Sequence, residues 1–176
     1  MILTKYFLNK KIRTLSKALL TRAHCYRSLE DVKHILIMCE AKDWGVIERC
    51  IGKLKAMNKS VHICVFTQKK DQTPIWDYAY LLVEAEKDVN IWGFPDESVK
   101  RQLNSLSVDM LMDLTSGQYP VMRYLTLQHP ASFKVGAKRA SDDDLYDLAI
   151  VMKEGVCDNL FLFGQIISYL QIIRSK

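Results

Sequence analysis

An aspartate, two hydroxyls and a glycine stand together in Asp113-Leu114-Thr115-Ser116-Gly117, and Pro120 follows shortly after. Proline suits the first turn of a helix, so the stretch reads as a strand end turning into a helix. Hydroxyls and a glycine at such a turn suit a phosphate or carboxylate, because the first helical N–H groups point outward without intrahelical partners. The plainer reading is that Thr115 or Ser116 caps the helix. Asp113 is the one weak candidate for a catalytic base, with Thr115 and Ser116 orienting a phosphorylated or sugar substrate. Glu40 and Thr67 close two other apolar runs and join Asp113, Thr115, Ser116 and Gly117 as ligand-binding candidates. Trp92 and Phe94 flank Gly93 and offer either a stacking surface for a sugar or base, or core aromatics.

Several chemistries are excluded. The seven glycines never fall two apart, so a GxGxxG dinucleotide turn is absent, as is a GxxxxGK[ST] phosphate loop. There is no GxSxG elbow and no HExxH, and His24, His34, His62 and His129 are scattered. No cofactor is implied. Asp142-Asp143-Asp144, with Asp147 after them, lack the spacing of a calcium loop and read as a solvated turn, so no metal is expected. The five cysteines form no CxxC pair and read as small buried hydrophobes in a reducing compartment, with Cys39, at a strand end, the one place for a reactive thiol.

The elements that must position these residues alternate. Ile35 to Cys39 is a continuous apolar run, as in a strand buried on both faces. Asp43 can cap a helix with Trp44, Ile47, Ile51 and Leu54 on one stripe, and Val61 to Phe66 is a second buried strand. Tyr78 to Val83 reads as strand or helix. Val89 to Trp92 reads as a strand, and Val99, Leu103 and Leu106 line the next helix. Asp109 to Leu114 and Phe133 to Gly136 read as strands around a helix stopped by His129-Pro130. Tyr146 to Met152 is the last strand, and Asp158 caps a terminal helix. The pattern predicts an α/β fold, doubly wound and Rossmann-like, around a mainly parallel sheet of five or six strands. Ligands in such sheets collect beyond the carboxyl ends of the strands, so Glu40, Asp113 and Thr115 are expected on one edge.

The first 28 residues differ from the rest. They hold seven basic residues and no acidic one, while the whole chain carries +5. The remainder is therefore slightly acidic, which argues against nucleic acid as a partner. Leu8, Ile12, Leu15, Leu19 and Ala23 recur at helical spacing, with Lys10, Arg13 and Lys17 opposite and Lys11 and Arg22 flanking. Residues 1–28 are expected to form a basic amphipathic helix ahead of a single domain at 29–176. Its basic side chains either lie solvated on a helix packed against the domain, or dock on an anionic membrane or acidic protein, or mark a mitochondrial presequence. The most apolar stretch, Leu160 to Ile173, is interrupted by Gln165, Ser168 and Gln171 and is too short to span a bilayer. A cytoplasmic or membrane-peripheral location is expected.

The chain resembles a family of small uncharacterised Bacteroidota proteins, a domain of unknown function. The likeness rests on the basic N-terminal helix, Val89-Asn90-Ile91-Trp92-Gly93-Phe94-Pro95, Asp113-Leu114-Thr115, Lys134-Val135-Gly136 and Tyr146-Asp147-Leu148, and it implies a bacterial cytoplasmic protein. A fainter likeness is to the N-terminal half of heptosyltransferase-type glycosyltransferases, where a strand ending in Asp-Leu precedes a helix and a strand ending in Val-Gly; the sugar-nucleotide half of those enzymes is missing from this chain. The leading expectation is a noncatalytic module that binds a partner or small anionic ligand and is positioned by its basic helix. The alternative is a small transferase or hydrolase acting on a phosphorylated or sugar substrate.

Overall fold

The computed structural model describes residues 2–19, 26–68, 77–138, 145–152 and 158–173. Helix α1 (Ile2–Leu19) comes first, then strand β1 (His34–Glu40), a short 3₁₀ turn and α2 (Trp44–Ala56). Next follow β2 (Ser60–Thr67), β3 (Leu81–Glu84), α3 (Glu97–Ser105) and β4 (Met110–Asp113). The chain ends with α4 (Pro120–Gln128), β5 (Phe133–Lys138), β6 (Leu148–Val151) and α5 (Asn159–Ile172). The strands form one sheet in the order β3-β2-β1-β4-β5-β6. Every pairing is parallel. This is the strand order of doubly wound folds, in which successive right-handed crossovers run outward in one direction from the first strand and then restart on its other side.

Alternation along each strand divides the core. Ile35, Ile37 and Cys39 of β1 face Ile47, Ile51 and Leu54 of α2 and Phe163, Ile166 and Leu170 of α5. Leu36 and Met38 face the opposite way, toward Val99 and Leu103 of α3 and Val121, Met122 and Leu125 of α4. Burial on both faces explains the unbroken apolar runs of β1 and β2. Among the described residues no helix is long and apolar enough to cross a membrane.

Helix α1 lies against α4. Leu8 and Ile12 are buried with Tyr124, Leu127, Leu145 and Tyr146, and Leu15 packs beside them. Lys10, Lys11, Arg13 and Lys17 are exposed. Arg22 lies outside the described residues, as do Ala23, Cys25, Cys157 and Asp142 to Asp144.

Two local readings are corrected. Val89 to Trp92 forms no strand; Val89 makes one isolated antiparallel bridge with Pro95. Gly93 turns the chain back between them at φ 84°, a left-handed conformation that glycine adopts without Cβ strain. Asp43 stands at the N-cap of α2, yet its side chain makes no capping bond there. Asp158 does cap α5, accepting from the N–H groups of Leu160 and Phe161.

Candidate functional site

The sheet order reverses between β1 and β4, and both strands end in a carboxylate. By the pleat, Glu40 and Asp113 point to the α4 side, and Thr67, one residue past the Phe66 that pairs with Glu40, alternates onto the other. Glu40, Asp113 and Thr115 thus share the carboxyl edge of the sheet, as a parallel arrangement requires.

Glu40 is the centre of a network. Its Oε1 accepts from Ser116 Oγ and from the Gly117 N–H, both at 2.6 Å. Its Oε2 accepts from Tyr119 Oη at 2.8 Å and is paired with Lys42 Nζ at 3.0 Å. Burial alone would raise this carboxyl, but bonds from Ser116, Tyr119, Gly117 and Lys42 outweigh it and hold Glu40 below its ordinary value. The same bond raises Lys42, while burial and then the Glu40 carboxylate push Tyr119 up. Ser116 Oγ also lies 3.0 Å from Asp43 Oδ2, which accepts from Asn159 Nδ2 at 3.0 Å. The donors that would suit a ligand's phosphate therefore hold the protein's own carboxylate, 4 % exposed.

Asp113 is engaged in the same way. Its Oδ1 accepts from the N–H and the hydroxyl of Thr115, at 2.9 and 2.6 Å. Its Oδ2 accepts from Tyr146 Oη at 2.6 Å. Both oxygens of Asp113 are hydrogen-bonded and the residue is buried. Among the described residues, no three His, Cys, Asp or Glu side chains converge as a metal would require. Cys39 lies beneath this edge, where burial foremost, then the neighbouring Cys64 and carboxylates, keep its thiol well above the ordinary value. A thiol held protonated is a poor nucleophile.

An open concavity lies elsewhere. Phe7, Lys10, Lys11 and Thr14 of α1 face Trp92 and Phe94 across a groove of about 480 Å³. Asn90 builds its far wall: its Oδ1 accepts from the N–H groups of Trp92 and Phe94, at 2.9 and 3.1 Å. Phe7 meets Trp92 edge to face at 5.5 Å, and Phe94 meets Tyr124 likewise at 5.5 Å. Rings and lysine stems make the walls apolar, with two ammonium groups on the α1 side.

A family model described as a family of unknown function, DUF6913, matches residues 4–173. The chain belongs to this family. No curated protein and no solved structure shows significant similarity to it.

In this DUF6913 chain the turn after β4 does not cap α4. Tyr119 is the N-cap residue, and Thr115 and Ser116 are turned instead to Asp113 and Glu40. The match includes α1, whose Lys10 and Lys11 the fold brings beside Trp92 and Phe94. Sequence reasoning missed Tyr119, Lys42 and Asn159 in the network, and Phe7 in the groove. Tyr119 carries no sequence signal, because its role depends on a carboxylate 79 residues away. Phe7 was legible in principle, standing at i, i+3 and i+4 with Lys10 and Lys11 on one face of the helix.

Proposed function

We propose that the protein is a noncatalytic binding module. It seats an amphiphilic anion, an apolar or aromatic body bearing a phosphate, sulfate or carboxylate, in the groove between α1 and the Trp92 turn. The observation that carries this reading is the placement of Trp92 and Phe94 opposite Phe7, Lys10 and Lys11. Rings give an apolar ligand a surface to cover, and ammonium groups beside them favour a negative end. The strand ends fit a noncatalytic role, since Glu40 and Asp113 are buried and hydrogen-bonded to the protein's own donors. In this reading α1 is an amphipathic helix whose basic face serves the ligand and whose apolar face serves the fold. A bacterial cytoplasmic setting fits the resemblance.

The test is titration with octyl phosphate below its micellar concentration, followed by calorimetry and tryptophan fluorescence. Saturable one-site binding is expected, abolished by Trp92→Ala and weakened by Lys10→Glu with Lys11→Glu. Absence of binding, or binding indifferent to these substitutions, would overturn the proposal.

A further inference from the structure

We infer that the anion is presented by a membrane: the groove face docks on an anionic bilayer, with Ile91 and Trp92 among the headgroups and Lys10 and Lys11 against lipid phosphates. This rests on the proposed amphiphile reading and names the source of the amphiphile.

Single exposed apolar side chains carry no meaning, but a group of them does. Ile91 is 76 % exposed at the tip of the turn, and Trp92 and Phe7 are each 46 % exposed beside it. Tryptophan favours the headgroup level of a bilayer, where its ring is apolar and its N–H finds water. Lysines next to it extend their stems along the apolar surface and place their charges at the phosphates. No residue lining the groove is acidic. On the α1 side Lys10, Lys11, Arg13 and Lys17 are exposed with no acidic residue among them, while Glu86, Asp96 and Glu97 are exposed on the segment that carries the turn.

The mode of docking is constrained by packing. Leu8 and Ile12 are committed to Tyr124 and Leu127, so α1 cannot bury that face in lipid as a free interfacial helix does. What faces outward is its basic side and the aromatic turn. A bilayer also suits the walls better than a peptide would. A peptide brings backbone N–H and C=O groups that rings and lysine stems leave unpaired, whereas an acyl chain brings none.

The experiment is co-sedimentation of the full chain with phosphatidylcholine–phosphatidylglycerol vesicles and with pure phosphatidylcholine vesicles, at low and high salt. Brominated acyl chains report insertion by quenching tryptophan. Binding is expected for anionic vesicles only, weakening steeply as salt rises. Lys10→Gln with Lys11→Gln should weaken partitioning about twenty-five-fold, from roughly fivefold per basic side chain. Trp92→Phe should remove most of the quenching and Ile91→Ser should weaken binding; both are exposed positions that leave the fold intact. Equal binding to neutral vesicles, no binding at low salt, or full binding by the lysine variant would overturn the inference. Octyl phosphate bound but vesicles ignored would sink the membrane and leave the amphiphile reading standing. Failure of both probes would sink both.

Discussion

Ser116 donates to the Glu40 carboxylate at 2.6 Å, joining residues 76 apart across the two strands between which the sheet order reverses. In doubly wound folds that crevice is where ligands sit, because the loops from neighbouring strands diverge there. Here the donors lining it converge on an internal anion. The edge is thereby tied shut by charge-assisted bonds, which are stronger than neutral ones. The open groove lies elsewhere, between α1 and the Trp92 turn that follows β3.

Replacing Glu40 tests how much the fold depends on that tie. Glu40→Gln keeps the size but turns an NH₂ toward groups that are themselves donors. A loss of about 2–4 kcal/mol is expected, because buried donors are left facing one another. Ser116→Ala should cost only about 1–2 kcal/mol, since Gly117, Tyr119 and Lys42 still serve the carboxylate. Urea unfolding midpoints decide it. Wild-type stability in Glu40→Gln would show that the carboxylate charge contributes nothing to the tie.

The contrast between these groups shows what was legible in the sequence. Ile35 to Cys39 and Val61 to Phe66 announce parallel strands because burial on both faces demands apolar residues throughout. The shared edge of Glu40 and Asp113 follows from the strands being parallel, whereas the order β3-β2-β1-β4-β5-β6 emerges only in the fold. What each polar group does there could not be read. Thr115 and Ser116 look the same in sequence whether they meet a phosphate, a helix N-terminus or a distant carboxylate. Val89 to Trp92 satisfies the pattern of a strand through its β-branched and aromatic residues, while Gly93 and the Asn90 side chain make it a turn.

A second dependence concerns pH. Burial, reinforced by the Lys134 ammonium, lowers His129 from 6.5 to about 4. Its Nδ1 accepts from the Ala131 N–H at 3.1 Å, and Nε2 lies 3.2 Å from the Leu103 carbonyl, consistent with a neutral ring. Between those two values the unfolded chain holds a proton that the folded one does not. Stability therefore falls as pH drops from 6.5 toward 4, by on the order of 3 kcal/mol, and this loss is complete below 4. Glu40 acts in a lower window, its contribution disappearing as pH falls from 4.5 through its depressed folded value. Unfolding free energies at stepped pH should show the first loss in the wild type and not in His129→Gln. An unchanged slope in that variant would assign it to other groups.

Gly136 is required for packing. A Cβ there would lie 2.6 Å from the Tyr146 ring, which is itself held by its bond to Asp113. Gly136→Ala should displace the ring and break that bond, at a cost of about 2–4 kcal/mol. Tyr146→Phe loses the bond alone and should cost about 1–2 kcal/mol. In the double variant the two losses should fall short of additive, because both act on one contact. Full additivity in denaturant melts would mean that the ring stays in place when the alanine is introduced.

The described cysteines should be inert in the folded protein. Burial pushes Cys64 up to about 12 and Cys50 to about 11, and Cys39 also stands well above its ordinary value. Alkylation by iodoacetamide at neutral pH, mapped by mass spectrometry, should leave Cys39, Cys50 and Cys64 unmodified until denaturant is added. Rapid native labelling of Cys39 would restore it as a candidate nucleophile.

Removing residues 1–28 is expected to leave a cooperatively folding domain of lower stability. Neither of the two clusters that sandwich the sheet contains an α1 residue, and Leu29, the first residue retained, still donates its N–H to the Leu170 carbonyl at 3.0 Å. The loss falls on the third cluster, where Tyr124, Leu127, Leu145 and Tyr146 would meet water once Leu8 and Ile12 are gone. Burying each of those two aliphatic side chains contributes about 2 kcal/mol, partly offset by the entropy of ordering α1. A net loss near 3 kcal/mol should lower the melting temperature by roughly 6–12 °C in a chain of this size. Leu8→Ala in the full chain should reproduce part of that shift while leaving the exposed lysines in place. Calorimetry separates the outcomes: a single transition at lower temperature supports an accessory helix, whereas a broad melt or none would make α1 part of the folding unit and move the domain's start to the N-terminus.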